Sequence, residues 1–482
     1  MFGVAMPLPL VGSSTKPGRP VAHLVFDGLY ALQHRGQESA GMAVSDGDTL
    51  TVVRDMGLVT NVFDERILSG LPGHLAIGHT RYSTTGSSTW HNAQPVYRSA
   101  GRVELALGHN GNLINTSALA SRAGMLPGVV TTDSDLMAEL LAQTLVTQTE
   151  EAQTLEAQTL EARTQRGDLE RALTKVLPSW EGAFSLVCMD STHLIGVRDP
   201  NGFRPLCLGR LGEGWVLASE TPALDVVGAS FVRELDPGEM VVIETAESGR
   251  PCEPRSVRPF PTARIDPHFC IFEMVYFARP DAQLCGIEVH GARRRMGEAL
   301  AEVAPVDADL VMGVPESGVP AAEGYARRSG IPYGQGLVKN RYIGRTFIVP
   351  DQEARAAGVR RKLNPLRENI AGKRLVVVDD SVVRGTTQRE TARMLREAGA
   401  TEIHLRVSSP PFTWPCYFGI DTPSRAELLA ANHSLEEMRA YLGVDSMAYL
   451  SIEDLEKAIG VPGTSFCSAC LTGDYPLAVP DA

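Results

Sequence analysis

The segment Leu375-Val-Val-Val-Asp-Asp-Ser-Val-Val-Arg-Gly-Thr-Thr387 constrains this chain more than any other. Its apolar residues, Leu375 to Val378, have the length and β-branched character of a fully buried strand in a parallel sheet. Two carboxylates, Asp379 and Asp380, fall where that strand ends, and Ser381 to Thr387 follow as a loop of small residues. Thr386 to Ala398 carries a helical pattern (Ala392, Leu395, Ala398) closed by Gly399, and Glu402 to Ser408 reads as the next strand of a βαβ unit. Ligands of open α/β sheets bind outside the carboxyl ends of the strands. A helix start preceded by glycine and hydroxyl residues offers unpaired N–H groups to a phosphate. Adjacent acids at the same strand end can hold ribose hydroxyls or a hydrated Mg2+. The pattern therefore implies a site for a phosphorylated sugar with a metal. A merely capped turn has no need of the paired acids.

Length and charge narrow the rest. At 482 residues the chain exceeds one ordinary core, so at least two domains are expected. Its 43% hydrophobic and 21% charged residues are those of a soluble globular protein, and a net charge of -12 without a basic run argues against a nucleic-acid partner. No apolar stretch is long enough to span a membrane and no signal peptide is recognisable, which makes the cytoplasm the expected location. Eight unevenly spaced cysteines do not form a disulfide scaffold in a chain of this size.

In the N-terminal half, Met1 to Pro20 is rich in Pro, Gly and Ser and reads as a loop or arm. Val21 to His34 has helical spacing and runs into Gln33-His-Arg-Gly-Gln-Glu-Ser-Ala-Gly41. Short apolar runs follow at 43–44, 50–53, 75–78, 103–108, 183–189, 193–198, 216–219 and 240–243, with helices at Ser134–Leu145 and Leu169–Leu177. This predicts a mostly antiparallel, β-rich domain. Glu151-Ala-Gln-Thr-Leu repeats as Glu156-Ala-Gln-Thr-Leu160, a low-complexity insertion near 147–166 that extends a helix. Gly78-His-Thr-Arg-Tyr-Ser-Thr-Thr-Gly86, Gly108-His-Asn-Gly-Asn112 and Thr131-Thr-Asp-Ser-Asp135 each end an apolar run with polar residues. An Arg facing a carboxylate, an Asp facing an ammonium and an Asn-Gly pair as an oxyanion hole suit an amino acid with an amide. Taken singly, each patch reads first as a turn, and His79 or His109 as a satisfied core histidine.

The acid-containing segment closely resembles the phosphoribosyl-pyrophosphate (PRPP) signature of type I phosphoribosyltransferases. Gln-His-Arg-Gly, Thr-Arg-Tyr and His-Asn-Gly-Asn, in that order, resemble the glutamine amidotransferase domain of the N-terminal-nucleophile family. Together the halves resemble the amidophosphoribosyltransferase family, in its iron–sulfur-containing branch. That resemblance implies an α+β (αββα) glutaminase domain over 1–255, and an α/β phosphoribosyltransferase domain with a parallel sheet over 256–482. The proline-rich stretch Pro251 to Pro267 lies near the boundary.

By resemblance, Arg81, Tyr82 and Thr84 hold the glutamine backbone, Asp133 takes its ammonium, and Asn110 and Gly111 form the oxyanion hole. Ser381, Val382, Val383, Arg384, Gly385, Thr386 and Thr387 join Asp379 and Asp380 in binding PRPP, with Lys339 and Arg345 from a segment rich in Arg and Lys that closes over it. Ser317, in Val311-Met-Gly-Val-Pro-Glu-Ser-Gly318, joins Asp379 and Asp380 around Mg2+. The family nucleophile is an N-terminal Cys followed by Gly, whose α-amine is the base. Met1-Phe2-Gly3-Val4 aligns with the Phe-Gly that follows that pair, which places the Cys just upstream of Met1; as written the glutaminase is expected to be silent. Cys188 lies in a core-like run and cannot replace it.

Cys467-Ser-Ala-Cys470 suggests redox chemistry, zinc or iron–sulfur from its spacing alone. By resemblance it joins Cys270 and Cys416 around a 4Fe-4S cluster that ties down the C-terminal tail. The implied activity makes 5-phosphoribosylamine, pyrophosphate and glutamate from PRPP, glutamine and water. The family also implies purine nucleotides as inhibitors and a homo-oligomer, dimer or tetramer. Two other readings are an ammonia-only phosphoribosyltransferase and a non-catalytic PRPP or nucleotide sensor.

Overall fold

A computed structural model describes residues 1–8, 19–82, 86–100, 103–125, 130–156, 169–246, 249–340, 360–422, 424–461 and 466–480. The chain forms two compact units. The first holds Met1–Phe269, joined by Tyr417–Asp421 and Leu477–Pro480; the second holds Cys270–Cys416 and Thr422–Pro476.

The first unit is layered helix–sheet–sheet–helix. One seven-stranded sheet runs, in spatial order, Ser230–Glu234, Cys207–Leu211, Gly214–Ala218, Phe2–Ala5, Leu75–Arg81, Ser39–Ser45 and Leu50–Met56. A six-stranded sheet contains Val96–Ala100, Val103–Leu113, Gly182–Met189, His193–Arg198, Met240–Glu244 and Arg255–Val257. The strand pairings within both sheets are antiparallel. Period-two alternation lets each strand serve two cores. Ala5, Ala43, Ile77 and Leu217 of one sheet meet Ala106, Val187, Met189 and Val241 of the other. On the outer faces, Val25 and Leu29 of helix Val21–Ala31 pack with Val4 and Met42, and Leu141 and Leu145 of helix Asp133–Glu156 pack with Leu105 and Leu107.

One expectation is corrected here. The first residues are not a loop or arm throughout: Phe2–Ala5 is a fully buried strand inside the seven-stranded sheet, with Phe2 opposite Gly78 on one side and Ala218 on the other. Four residues followed by Pro7 and Pro9 have no period to read, so only their neighbours define them as a strand. Helix Asp133–Glu156 runs on through the first copy of the repeat, in line with an insertion that extends a helix, while 157–168, with the rest of the second copy, lie outside the described residues.

The second unit is built on a parallel sheet ordered Leu310–Gly313, Arg374–Asp379, Glu402–Val407 and Ser446–Tyr449. Leu375 pairs with Leu310 on one side and Ile403 on the other, so Leu375 to Val378 is buried on both faces as its composition predicts. Helix Thr386–Glu397 returns across the sheet, burying Ala392, Met394 and Leu395. No helix among the described residues is long and apolar enough to cross a membrane.

If Phe2 anchors the seven-stranded sheet, Phe2→Ala costs about 3–5 kcal/mol through the cavity it leaves. Urea unfolding checks this; a cost near zero would show that the strand is dispensable.

Candidate functional site

At the carboxyl end of the central parallel strand the acidic pair is buried rather than solvated. Asp379 Oδ1 accepts the Asp380 backbone N–H at 3.0 Å, and Oδ2 accepts the Gln388 side-chain amide at 2.8 Å. Asp380 Oδ1 accepts the Ser381 hydroxyl at 2.5 Å, and a further hydrogen bond comes from the Ser317 hydroxyl. Burial and the charge of Asp380 push the Asp379 carboxyl well above the usual range, against the Gln388 amide. Burial also raises Asp380, opposed by Ser317, Ser381 and the Arg293 guanidinium. Two carboxylates desolvated together repel, and a bound cation relieves both effects. Ser317, Asp379 and Asp380 are thus brought together from two strand ends, as the motifs predict.

The loop beyond the acids turns the chain into a helix start. Val382 is buried, and Val383 O accepts the Leu429 N–H at 2.9 Å. Gly385 sits at φ +74 with Leu429 Cδ2 at 2.7 Å from where a Cβ would be, so only glycine turns the chain into the helix beginning at Thr386 and Thr387. Arg384 pairs with Glu427 at 3.0 Å and Lys339 with Glu316 at 3.2 Å. Arg345 lies outside the described residues. Sequence reasoning missed Gln388 and Arg293. Gln388 carried a signal, since Gln at the third helical position commonly folds back over the helix start. Arg293, from helix Val289–Val303, carried none.

The first unit gathers the second set of polar residues. Asn110, Gly111 and Asn112 lie on the strand Val103–Leu113, opposite Ser185, Phe184 and Ala183. The Asn110 side-chain Nδ2 is buried without a hydrogen-bond partner, a donor whose cost a ligand oxygen would remove. A Cβ on Gly111 would stand 2.0 Å from Ala183 O. Asp133 is buried and accepts N–H groups from Leu113 at 3.1 Å and Ser134 at 2.7 Å, with His109 Nδ1 at 3.6 Å. His109 is held by Ser134 Oγ at 3.1 Å, and its backbone N–H donates to Gln94 Oε1 at 2.7 Å. Together these groups keep Asp133 ionised despite its burial. Arg81 is buried with Glu38 at 3.9 Å, and the Tyr82 hydroxyl donates to Asp421 at 3.1 Å. Thr84 lies outside the described residues. The Met1 amine, at the start of this sheet's Phe2–Ala5 strand, donates to Ser219 Oγ at 3.1 Å; burial, with Arg35 nearby, lowers its pKa to about 5. Cys188 is buried in its strand and its thiol pushed far up by desolvation.

The four cysteines singled out by the sequence all belong to the second unit. Cys270 lies in a short strand paired with the one that carries Cys467. The backbone N–H groups of Thr413 and Trp414 both donate to Cys470 O at 3.1 Å, which brings the tail against the segment ending in Cys416. The Cys470 thiol is pushed well above its usual range, first by burial and then by Cys416, Cys270 and Cys467. Among the described residues no group of three or more His, Cys, Asp or Glu side chains stands at the spacing of a shared metal ion. Cys270, Cys416 and Cys467 are nevertheless near enough to raise the cost of ionising the Cys470 thiol.

Comparison with known proteins follows the same division. Residues 79–226 match the glutamine amidotransferase domain family and residues 289–409 the phosphoribosyl transferase domain family. The chain is 52% identical over 477 residues to amidophosphoribosyltransferase of Mycobacterium tuberculosis, covering 96% of this chain and 85% of that protein. It is 44% identical over 475 residues to the Archaeoglobus fulgidus amidophosphoribosyltransferase, covering 98% of each. Among solved structures, the B. subtilis glutamine PRPP amidotransferase complexed with ADP and GMP superposes with a TM-score of 0.84 at 41% identity, over 99% of this chain and 97% of that one.

Gly111→Ala is expected to destabilise the first unit by about 1–3 kcal/mol, since its methyl must displace the Ala183 carbonyl. A denaturation midpoint unchanged from the parent would show that this strand pair is looser than the structure has it.

Proposed function

The chain belongs to the amidophosphoribosyltransferase family, which opens purine biosynthesis, and we propose how its residues divide that work. PRPP is held by the second unit. Its 5′-phosphate takes the N–H groups of the loop Ser381 to Thr387 at the helix start, where the macrodipole favours an anion. Asp379 and Asp380 face its ribose hydroxyls. Lys339 and Arg345 neutralise the pyrophosphate. Ser317, Asp379 and Asp380 would hold Mg2+, whose charge assists departure of pyrophosphate. The lone pair of ammonia forms the C1–N bond while the C1–O bond breaks and its electron pair leaves with pyrophosphate; the nitrogen then loses a proton to reach the neutral amine. Ammonium has no lone pair, so the nitrogen has to arrive unprotonated and away from water.

Glutamine is bound in the first unit. Arg81 faces its carboxylate with Tyr82 and Thr84, Asp133 its ammonium, and Asn110 Nδ2 and Gly111 N–H the oxyanion that develops on the amide carbonyl. The unpartnered Asn110 amide supports this assignment. Cys270, Cys416, Cys467 and Cys470 fit a 4Fe-4S cluster by their chemistry: three thiols stand near the buried Cys470 and oppose its ionisation, a cost that a cationic iron core would remove. Purine nucleotides are proposed as inhibitors, since the B. subtilis relative was solved with ADP and GMP. The cytoplasm suits these soluble substrates.

The observation that carries the reading is the buried acidic pair at a parallel strand end, joined by a glycine-turned loop to a helix start. The test is phosphoribosylamine formation from PRPP and Mg2+, with glutamine or ammonium as nitrogen donor. Turnover is expected with ammonium, and Asp380→Asn should lower it by at least ~100-fold. A folded protein silent with both donors would refute the reading.

The cluster assignment is checked separately. Anaerobically prepared protein should hold about four iron atoms per chain, and Cys470→Ser should lower that content. Zinc in place of iron in the parent protein would contradict it.

A further inference from the structure

Gln388 ties the acidic pair to the loop that follows it. Its Nε2 donates to Asp379 Oδ2 at 2.8 Å and to Ser381 O at 3.0 Å. An amide nitrogen has two hydrogens in a fixed plane, so both bonds form at once. The orientation of the amide is not ambiguous, because its own oxygen in that place would face two acceptors. Gln388 lies at the third position of helix Thr386–Glu397, whereas its acceptors lie before and at the start of the loop. One side chain therefore closes a ring through the whole anion loop. Capping the helix start would mean accepting its free N–H groups, whereas Gln388 donates both of its bonds. The second bond, to one of the two acids, points to the site itself.

We infer that Gln388 is a positioning residue for PRPP, holding Asp379 and the curvature of the Ser381–Thr387 loop in the arrangement that receives the sugar phosphate. The inference rests on the reading of that site as the PRPP site. Asp379 Oδ1 is turned inward by the Asp380 N–H, and the Gln388 amide fixes the other oxygen, so the carboxylate has one orientation. Without the amide, Asp379 keeps only the Asp380 N–H on Oδ1, its Oδ2 loses a fixed partner, and ordering it would be a cost of binding. The effect thus falls on PRPP affinity, with the chemical step little changed.

The test compares the full-length, cluster-loaded parent with Gln388→Met, which keeps length and volume but has no donor, and Gln388→Glu, which sets a third carboxylate against the pair. Turnover is followed with ammonium as donor. Gln388→Met should raise the KM for PRPP about tenfold, the size of one hydrogen bond to a charged group, with kcat within about twofold and the KM for ammonia unchanged. Gln388→Glu should raise it further. A brace of the helix start alone would lower the thermal midpoint and leave the PRPP KM where it was; that result overturns the inference while parent turnover still upholds the site. A parent inactive with PRPP and ammonium overturns the functional reading and the inference with it.

Discussion

Two carboxylates buried side by side at the end of a parallel strand are the constraint on which the second unit turns. Asp379 and Asp380 repel each other in a poorly solvated place, and the protein meets that cost with the Gln388 amide, the Ser317 and Ser381 hydroxyls and the Arg293 guanidinium. Burial nevertheless holds both carboxyls above their usual range, a cost that a bound cation would relieve. A merely structural turn would not maintain such a cost. The parallel sheet supplies the position, since its strands all deliver their carboxyl ends to one edge.

The first unit solves a different electrostatic problem. The ligand proposed for it is an amino acid, which carries both charges, and its candidate residues include a buried Arg81 and a buried Asp133 rather than one sign alone. Asp133 stays ionised because His109, two backbone N–H groups and the Ser134 hydroxyl surround it. The neighbouring Asn110 amide is left with its donor unspent. Asn110 and Asp133 sit on adjoining elements of one sheet-and-helix layer, whose packed core fixes their spacing, while Arg81 comes from the end of a strand in the seven-stranded sheet.

Much of this was legible in the chain because it is local. Leu375 to Val378, the acids, the loop and the helix follow in order within one βαβ unit, and burial, turn chemistry and helix period each mark their own part. Strands were visible where apolar runs were long, as at Gly182–Met189, and invisible at Phe2–Ala5 and Cys207–Leu211 of the first unit and Ser446–Tyr449 of the second, where neighbours rather than composition decide. Long-range placement was harder. Spacing could not say that Cys270 and Cys416 approach the Cys467–Cys470 pair, and only resemblance brought them together. Arg293 reaches Asp380 from another helix, and His109 reaches Asp133 from a neighbouring strand, with no pattern in sequence to announce either.

The central claim is that the acidic pair and its loop bind PRPP with a divalent cation. Titration calorimetry of PRPP into the cluster-loaded protein, with and without Mg2+, tests it most directly. The account predicts one site per chain, tight binding only with Mg2+, and its loss in Asp379→Asn. Binding that is indifferent both to Mg2+ and to that substitution would contradict it.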